Sequence, residues 1–128
     1  LPHYADKNHP WLSNINHESV KIIDIQNPNP LKVIDEINCC ESIATSSLHG
    51  LIISDSYQIP SVWIKFSENI TGGNFKFEDY FRSINSKSLN PLIIEKNTNI
   101  DEISQKCEVR TLNIDLDLLL DHFPNEFL

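Results

Sequence analysis

The five residues at positions 46–50 combine small, polar and titratable side chains in one turn. They read SSLHG and stand between a short β-branched stretch and a longer apolar one. If a helix begins there, its first backbone N–H groups have no partner within the helix, and its dipole favours negative charge at that end. We therefore predict that the turn binds a phosphate or carboxylate through four residues: Ser46, Ser47, Leu48 and Gly50.

The histidine of this turn is the candidate for chemistry. The ring of His49 can donate to an anionic oxygen, pass a proton because an imidazole titrates near neutral pH, or hydrogen-bond a neighbouring loop. Gly50 allows backbone to approach backbone or ligand where a Cβ would clash. The residues by themselves predict an anion-binding turn and leave these three tasks of the histidine open.

The turn requires a strand before it and a helix after it, and the flanking sequence favours both. ESIATSS (41–47) predicts a strand, LHGLIISDSYQ (48–58) a helix and PSVWIK (60–65) a further strand. Upstream, VKIIDI (20–25) predicts a buried strand ahead of a helix capped by Asn29. Strands and helices that alternate over short connections favour a parallel sheet, whose ligands bind beyond the carboxyl ends of the strands. The predicted fold is α/β, a Rossmann-like parallel sheet with helices on both faces.

The rest of the chain contributes a loop, three helices and a strand to this prediction. Residues 1–17 hold two prolines and three histidines with little periodicity, which predicts a surface loop with ordinary loop histidines. Downstream, KFEDYFRSI (76–84), NIDEISQKC (99–107) and LNIDLDLLLDHF (112–123) predict helices, and PLIIEK (91–96) predicts a strand.

Composition limits the class of protein. The 128 residues, 40% of them hydrophobic, predict one domain spanning 1–128, and a start at leucine without any methionine leads us to expect a piece of a longer protein. A formal net charge of -8 disfavours a nucleic-acid partner, whose phosphates are bound by clustered Lys and Arg. Three cysteines without metal-type spacing predict no disulfide framework and a reducing, cytoplasmic compartment. No apolar run is long enough for a transmembrane segment.

The turn and its surroundings also resemble a known family. The block SSLHGLIISDSYQIPSVWIKFSENITGGNFKFEDYFRSI (46–84), with LPHY (1–4) and PLKVIDEINCCESI (30–43), resembles the polysaccharide pyruvyl transferase family. Members of that family commonly show a Ser-x-Leu-His-Gly turn, an Ile-Pro strand start and a Phe-Lys-Phe-x-Asp-Tyr stretch. The resemblance extends to the end of the block and fades beyond it.

The resemblance implies an enzyme with two Rossmann-like halves that face a cleft, as in glycosyltransferases of type B, and this chain would be the C-terminal half. It implies transfer of pyruvate from phosphoenolpyruvate to two hydroxyls of a capsule, exopolysaccharide or cell-wall sugar, as a cyclic ketal. The implied partners are phosphoenolpyruvate, a glycan or lipid-linked sugar acceptor and the N-terminal half of the same enzyme. We expect no cofactor and no metal, and a location in the cytoplasm or at the inner face of the membrane.

The resemblance also implies roles for single residues. His49 becomes the catalytic residue, while Glu68 and Lys76 become candidates for substrate binding, because a loop after a strand end can carry them to the cleft. One position departs from the family, since many relatives have an arginine where Ser47 stands, and serine cannot hold a carboxylate or phosphate with two parallel hydrogen bonds. We expect Lys65, Lys76 or the N-terminal half to supply the missing cation, or a different donor to be used.

Two other functions stay open from the sequence. A nucleotide-sugar half of a glycosyltransferase would also place a phosphate at a helix start. A non-catalytic sugar- or partner-binding domain would fit the absence of the arginine. Phosphate release from phosphoenolpyruvate, compared with release from a nucleotide sugar, separates these alternatives.

Overall fold

Three strands of the chain pair side by side in a parallel sheet. The computed structural model describes residues 1–66, 73–86 and 90–122. Within these residues the sheet has the order β1-β2-β3, and its strands are β1 (Ile43–Thr45), β2 (Ser61–Lys65) and β3 (Leu92–Ile93). Both pairings are parallel. Three of the four predicted strands are therefore confirmed in position and direction.

Helices fill the connections between and around these strands. In the described ranges they are α1 (Pro10–Ser13), α2 (Pro30–Asn38), α3 (Leu48–Ser56), α4 (Phe75–Ser83), α5 (Ile100–Gln105) and α6 (Leu116–Asp121). The predicted cap of α2 is confirmed, since Asn29 Oδ1 accepts from the N–H groups of Leu31 and Lys32 at 3.1 and 3.4 Å. The last helix is shorter than predicted because it starts after Asp115, whose carboxylate accepts from the N–H of Leu118 at 2.9 Å.

The sheet is covered by helices on both faces, as predicted. On one face Trp63 stacks on Phe77 of α4, with ring centroids 4.3 Å apart, and packs with Leu51 of α3. On the other face Ile64 packs with Ile103 of α5. Neighbouring residues of β2 serve opposite faces because side chains alternate along a strand. The chain therefore has the expected α/β, Rossmann-like fold, with the carboxyl ends of β1 and β2 at one edge.

The strand predicted at residues 20–25 is wrong. These residues form no strand in the structure, although Ile23 is only 1% exposed and packs with Val33 and Ile43. An apolar pattern shows that residues are buried, but it does not show that they form a strand. An irregular segment that lies against the core gives the same pattern.

The first residues lie against the sheet edge, so the surface loop predicted for residues 1–17 is wrong in part. The amino group of Leu1 donates to Ala44 O at 2.7 Å, and the N–H of Ser46 donates to Leu1 O at 3.3 Å, which is a parallel pairing beside β1. A 3-10 turn at Tyr4–Asp6 and α1 follow. A single paired residue and two short helical turns contain no repeating pattern of apolar residues, so hydrophobic periodicity could not predict them.

A buried ion pair ties the end of α3 to the start of β2. Asp55 and Arg110 are 1% and 6% exposed, and Arg110 Nε and Nη2 lie 3.1 and 3.0 Å from the two carboxylate oxygens. Arg110 Nη1 also donates to Ser61 O at 3.1 Å, and Tyr80 O–H donates to Asp55 at 2.8 Å. Burial and this bond to a carboxylate raise the pKa of Tyr80, so its hydroxyl stays a donor. Asp55 therefore has a structural role.

We predict that Arg110→Met lowers the free energy of unfolding by about 3–5 kcal/mol, because the Asp55 carboxylate stays buried without a counter-charge. Combining it with Asp55→Leu should restore much of the loss, since no buried charge then remains. Arg82→Met is the matched control: Arg82 is exposed, lies 4.0 Å from Glu78, and should change stability by under about 0.5 kcal/mol. Urea unfolding measures all three, and equal losses for Arg110→Met and Arg82→Met would contradict the role of the pair.

Candidate functional site

The predicted turn lies where β1 ends and α3 begins. Ser47 has extended backbone angles and directly precedes Leu48, the first residue of α3. Thr45 closes the turn, because its Oγ1 accepts from the N–H of Ser47 at 3.0 Å and lies 2.8 Å from Leu1 O. The chain therefore leaves the sheet at its carboxyl edge, where open α/β sheets bind ligands.

Gly50 lets α3 pack directly on β1. A Cβ at this position would lie 2.4 Å from Thr45 Oγ1 and 3.1 Å from Leu1 Cδ2. Close-packed interiors leave no room for such an atom unless helix and strand move apart. The sequence predicts that Gly50 lets the backbone approach either another backbone segment or a ligand. These contacts support the approach of one chain segment to another.

Ser46 uses its side chain inside the protein. It is fully buried, and its hydroxyl accepts from the N–H of His3 at 2.8 Å and donates to Asp6 Oδ2 at 2.7 Å. Asp6 is itself only 3% exposed. The serine predicted to border a ligand thus links the turn to the N-terminal segment and brings His3 next to the start of α3.

The start of α3 combines a buried turn with an exposed histidine. Ser47 is 2% exposed and, within the described part of the chain, makes no side-chain hydrogen bond that caps the helix. Leu48 is half-buried and packs against the cluster around Trp63, whereas His49 is exposed. The helix dipole and the uncapped N–H groups favour an anion at this end. The His49 ring borders a groove that Ile53 of α3 and Val33 of α2 also line.

Titratable and cationic side chains face the same region. Burial and the charges of Lys76 and His49 lower the pKa of His3, whereas Asp6 raises it. Lys76 is half-buried in the first turn of α4. The charges of Lys76 and His49 therefore act on His3, although the chain as a whole carries a net charge of -8. Of these groups, the ammonium of Lys76 is the one whose positive charge attracts a small anion.

Lys65 ends β2 at the same edge of the sheet. It is 8% exposed, and its Nζ donates at 3.1 Å to Oδ1 of Asn74, the residue before α4. Both lysines expected to replace the family arginine thus lie near the carboxyl ends of the strands. Lys76 is the one whose charge acts on His3.

Glu68, which the sequence also predicts to bind substrate, lies outside the described residues. Within the described ranges, no group of three His, Cys, Asp or Glu side chains is arranged to hold a metal ion. In the same part of the chain, every helix is too short or too polar to cross a membrane.

His3 and Asp6 are the residues near the turn that sequence reasoning missed. His3 was predicted to be an ordinary loop histidine, because nothing local separates it from His9 and His17. The pairing of Leu1 with β1 is what brings it to the turn. The one available signal was the resemblance of LPHY to family members.

Comparison with known proteins supports the family resemblance found in the sequence. A family model described as polysaccharide pyruvyl transferase matches residues 1–68, just over half of the 128 residues. An uncharacterized protein of Acanthamoeba polyphaga mimivirus is 32% identical over 83 residues, which is 62% of this chain and 29% of the viral protein. This chain therefore spans less than a third of that relative. No solved structure matches the chain.

We predict that Gly50→Ala lowers the free energy of unfolding by about 1–3 kcal/mol, because the added methyl overlaps Thr45 Oγ1. In a Thr45→Ala background the same change should cost less, since the clashing oxygen is gone. His49→Ala, one residue away and exposed, is the control and should change stability by under about 0.5 kcal/mol. Urea unfolding of the single and double variants gives the coupling; strict additivity would mean that Thr45 is not what excludes a side chain.

Proposed function

Because the chain belongs to the polysaccharide pyruvyl transferase family, we propose that it forms the anion-binding half of an enzyme that transfers pyruvate from phosphoenolpyruvate to a sugar. The acceptor in this proposal is a capsule, exopolysaccharide or cell-wall glycan, and the product is a cyclic ketal. The observation that carries the proposal is the SSLHG turn, which lies in the matched region with His49 exposed beside an uncapped helix start.

The proposed reaction needs a proton donor and an anion site. A proton adds to the methylene carbon of phosphoenolpyruvate, which becomes a methyl group, while one sugar hydroxyl adds to the neighbouring carbon and loses its proton. The second hydroxyl adds to that same carbon, and phosphate leaves with the electrons of its C–O bond and takes up the second proton. The protein must hold the negative donor throughout and place one acid near the methylene carbon.

The residues of the turn have distinct parts in this proposal. His49 contacts the donor and transfers the proton, because its ring is exposed and an imidazole can serve as a general acid. The N–H groups of Leu48 and His49, with the ammonium of Lys76, hold the phosphate or the carboxylate. Glu68 stays a substrate contact predicted from the sequence. The other residues of the turn contribute through its backbone: Ser46, Ser47 and Gly50.

The remaining parts of the proposal concern the whole enzyme. A second Rossmann-like half would close the cleft over the donor, in a cytoplasmic enzyme that acts on a glycan or on a lipid-linked sugar at the inner face of the membrane. Residues 1–128 alone should then give no turnover, because one half cannot enclose donor and acceptor. Release of phosphate by the isolated chain, measured with phosphoenolpyruvate and cell-wall oligosaccharides, would overturn this two-half arrangement.

A non-catalytic anion-binding domain is the second candidate function. Ser47 is 2% exposed at the position where many family members have arginine. Loss of the guanidinium removes a two-pronged clamp for phosphate or carboxylate. Such a domain would bind phosphoenolpyruvate or phosphate and release no product.

We predict that the full-length natural protein releases phosphate from phosphoenolpyruvate when capsule or cell-wall oligosaccharides are present. His49→Ala should lower that transfer by about 10²-fold or more, as expected when a positioned acid or anion donor is lost. Its thermal midpoint should stay close to that of the wild type, because the ring is exposed.

The control for this experiment is His17→Ala, which removes another exposed histidine and should leave transfer unchanged. A nucleotide sugar in place of phosphoenolpyruvate should give no product. Faster turnover of the nucleotide sugar would favour a glycosyltransferase, and binding of phosphoenolpyruvate without any release would favour the non-catalytic domain. Unchanged transfer by His49→Ala would remove that residue from the mechanism.

A further inference from the structure

A groove lies along the edge of β1 that faces away from β2. Its volume is about 490 Å³, and pockets that hold ligands measure roughly 300–1,000 Å³. It is lined by residues 42–44 at the edge of β1 and by the irregular segment 19–23, and Leu1 borders it as well. Apolar residues of other elements complete the lining, among them Trp11, Ile64 and Ile103.

The backbone of β1 offers hydrogen-bonding groups to this groove. The N–H of Ile43 donates to Pro60 O at 2.9 Å, on the side of β2. Successive residues of a strand direct their backbone groups to opposite sides, so the N–H and the carbonyl of Ala44 point away from β2. The carbonyl accepts from Leu1 at 2.7 Å, whereas no hydrogen bond within the described residues uses the N–H. An unpaired N–H at a sheet edge is a template for a further strand.

The contacts of Leu1 define the alignment of such a strand. Its amino group donates to Ala44 O and its carbonyl accepts from the N–H of Ser46, so Leu1 stands opposite Thr45 in a parallel ladder. Every second residue of a strand bonds to the same neighbour. The N–H of Ala44 would therefore meet the carbonyl of the residue two positions before Leu1, and that residue's N–H would meet the carbonyl of Ser42.

We propose that the groove holds a further strand of the same sheet, formed by the residues that directly precede Leu1 in the full-length protein. The strand runs parallel to β1 and spans about three residues, the length of 42–44. The viral relative supports this source, because the present chain covers 29% of it and most of a protein of that size would lie outside residues 1–128. A segment continuous with Leu1 enters the groove without any change of direction.

Both faces of the groove accept apolar side chains. Ile23 and Ile43 line it on one face of the sheet, and Ile64 and Ile103 line it on the other. A strand sends its side chains alternately to the two faces, so an occupant of this groove is in apolar surroundings on both. Buried strands of parallel sheets are accordingly continuous apolar runs, and we expect such a run before Leu1.

The charged groups at the groove give a charged occupant no partner. Lys21 and Glu36 border it and lie 3.2 Å from each other, so their charges are already paired. Burial lowers the pKa of the Leu1 amino group to about 5, which disfavours a positive charge in that place but not an uncharged peptide N–H. Ile22 also lines the groove and is 50% exposed, so an apolar strand would cover a side chain that is now half in water.

The test is nuclear magnetic resonance of the full-length natural protein. We expect the N–H of Ala44 to exchange with solvent about as slowly as that of Ile43, and about 10²-fold or more slowly than that of the exposed Glu18. We also expect a coupling across the hydrogen bond from Ala44 N to the carbonyl carbon two residues before Leu1. A mixture of ¹⁵N-labelled and ¹³C-labelled copies shows whether that carbonyl belongs to the same molecule.

A pair of variants tests the groove through stability. Ile22→Asp should lower the thermal midpoint of the full-length protein by about 5 °C or more, because the strand would bury the new carboxylate without a partner. Leu31→Asp is the matched control: Leu31 is 67% exposed on α2, does not line the groove, and should shift the midpoint by under about 2 °C.

Each contrary outcome overturns the inference. An Ala44 N–H that exchanges as fast as that of Glu18 means that the groove is open, and the absence of a coupling to the stated carbonyl means that something else fills it. A coupling that appears only between differently labelled copies assigns the groove to a second chain. Equal shifts for Ile22→Asp and Leu31→Asp also contradict the proposal.

This inference concerns the sheet that positions the turn and does not depend on the proposed function. The expected coupling in a protein that releases no phosphate from phosphoenolpyruvate would support the strand and remove the proposed function. Pyruvyl transfer by a protein without that coupling would do the opposite.

Discussion

The fit of α3 against β1 decides where the groups of the candidate site lie. Gly50 has no side chain, so the helix approaches Thr45, whose hydroxyl lies within hydrogen-bond distance of Leu1 O. The N-terminal segment can then pair beside β1 and carry His3 to Ser46. A larger residue at position 50 would separate three segments at once, because a close-packed interior has no free volume for another methyl group.

A buried ion pair anchors the C-terminal end of α3. Asp55 is buried with Arg110, and Ser61 and Tyr80 complete the hydrogen bonds of the pair. Removing two charges from water is costly, and the pair is tolerated because nearly all of its polar atoms have partners. One end of the helix is thus anchored in the core, while the other presents the exposed His49 and, within the described residues, N–H groups that the Ser47 side chain does not cap. Fixed donors of this kind need little rearrangement when an anion binds, which is what electrostatic stabilisation of a reaction requires.

Basic groups lie near the turn although the chain as a whole is acidic. The chain has a net charge of -8, yet the charges of Lys76 and His49 act on His3, whose backbone N–H bonds Ser46 of the turn. Salt screens exposed charges beyond about 10 Å at 0.1 M ionic strength, so groups near the ligand dominate its binding. The proposed ligand is accordingly a small anion, since a long polyanion would meet the acidic remainder of the surface.

The sequence by itself determined the features whose signals are local. The cap at Asn29, the strands at 41–47, 60–65 and 91–96, and the helix after the SSLHG turn were all predicted, and the motif indicated the family. Caps, side-chain alternation and helical periodicity act over a few residues, so a single sequence contains them. The error at 20–25 has the same origin, because an apolar pattern shows that residues are buried and not whether they pair.

Only the tertiary structure decided which distant residues meet. Leu1 rather than residues 20–25 lies beside β1, Ser46 joins His3 to Asp6, and Asp55 meets Arg110 across 55 residues of chain. None of these contacts leaves a period, a cap or a spacing in the sequence. They depend on the path of the chain through space, and that path is set by the packing of the whole core.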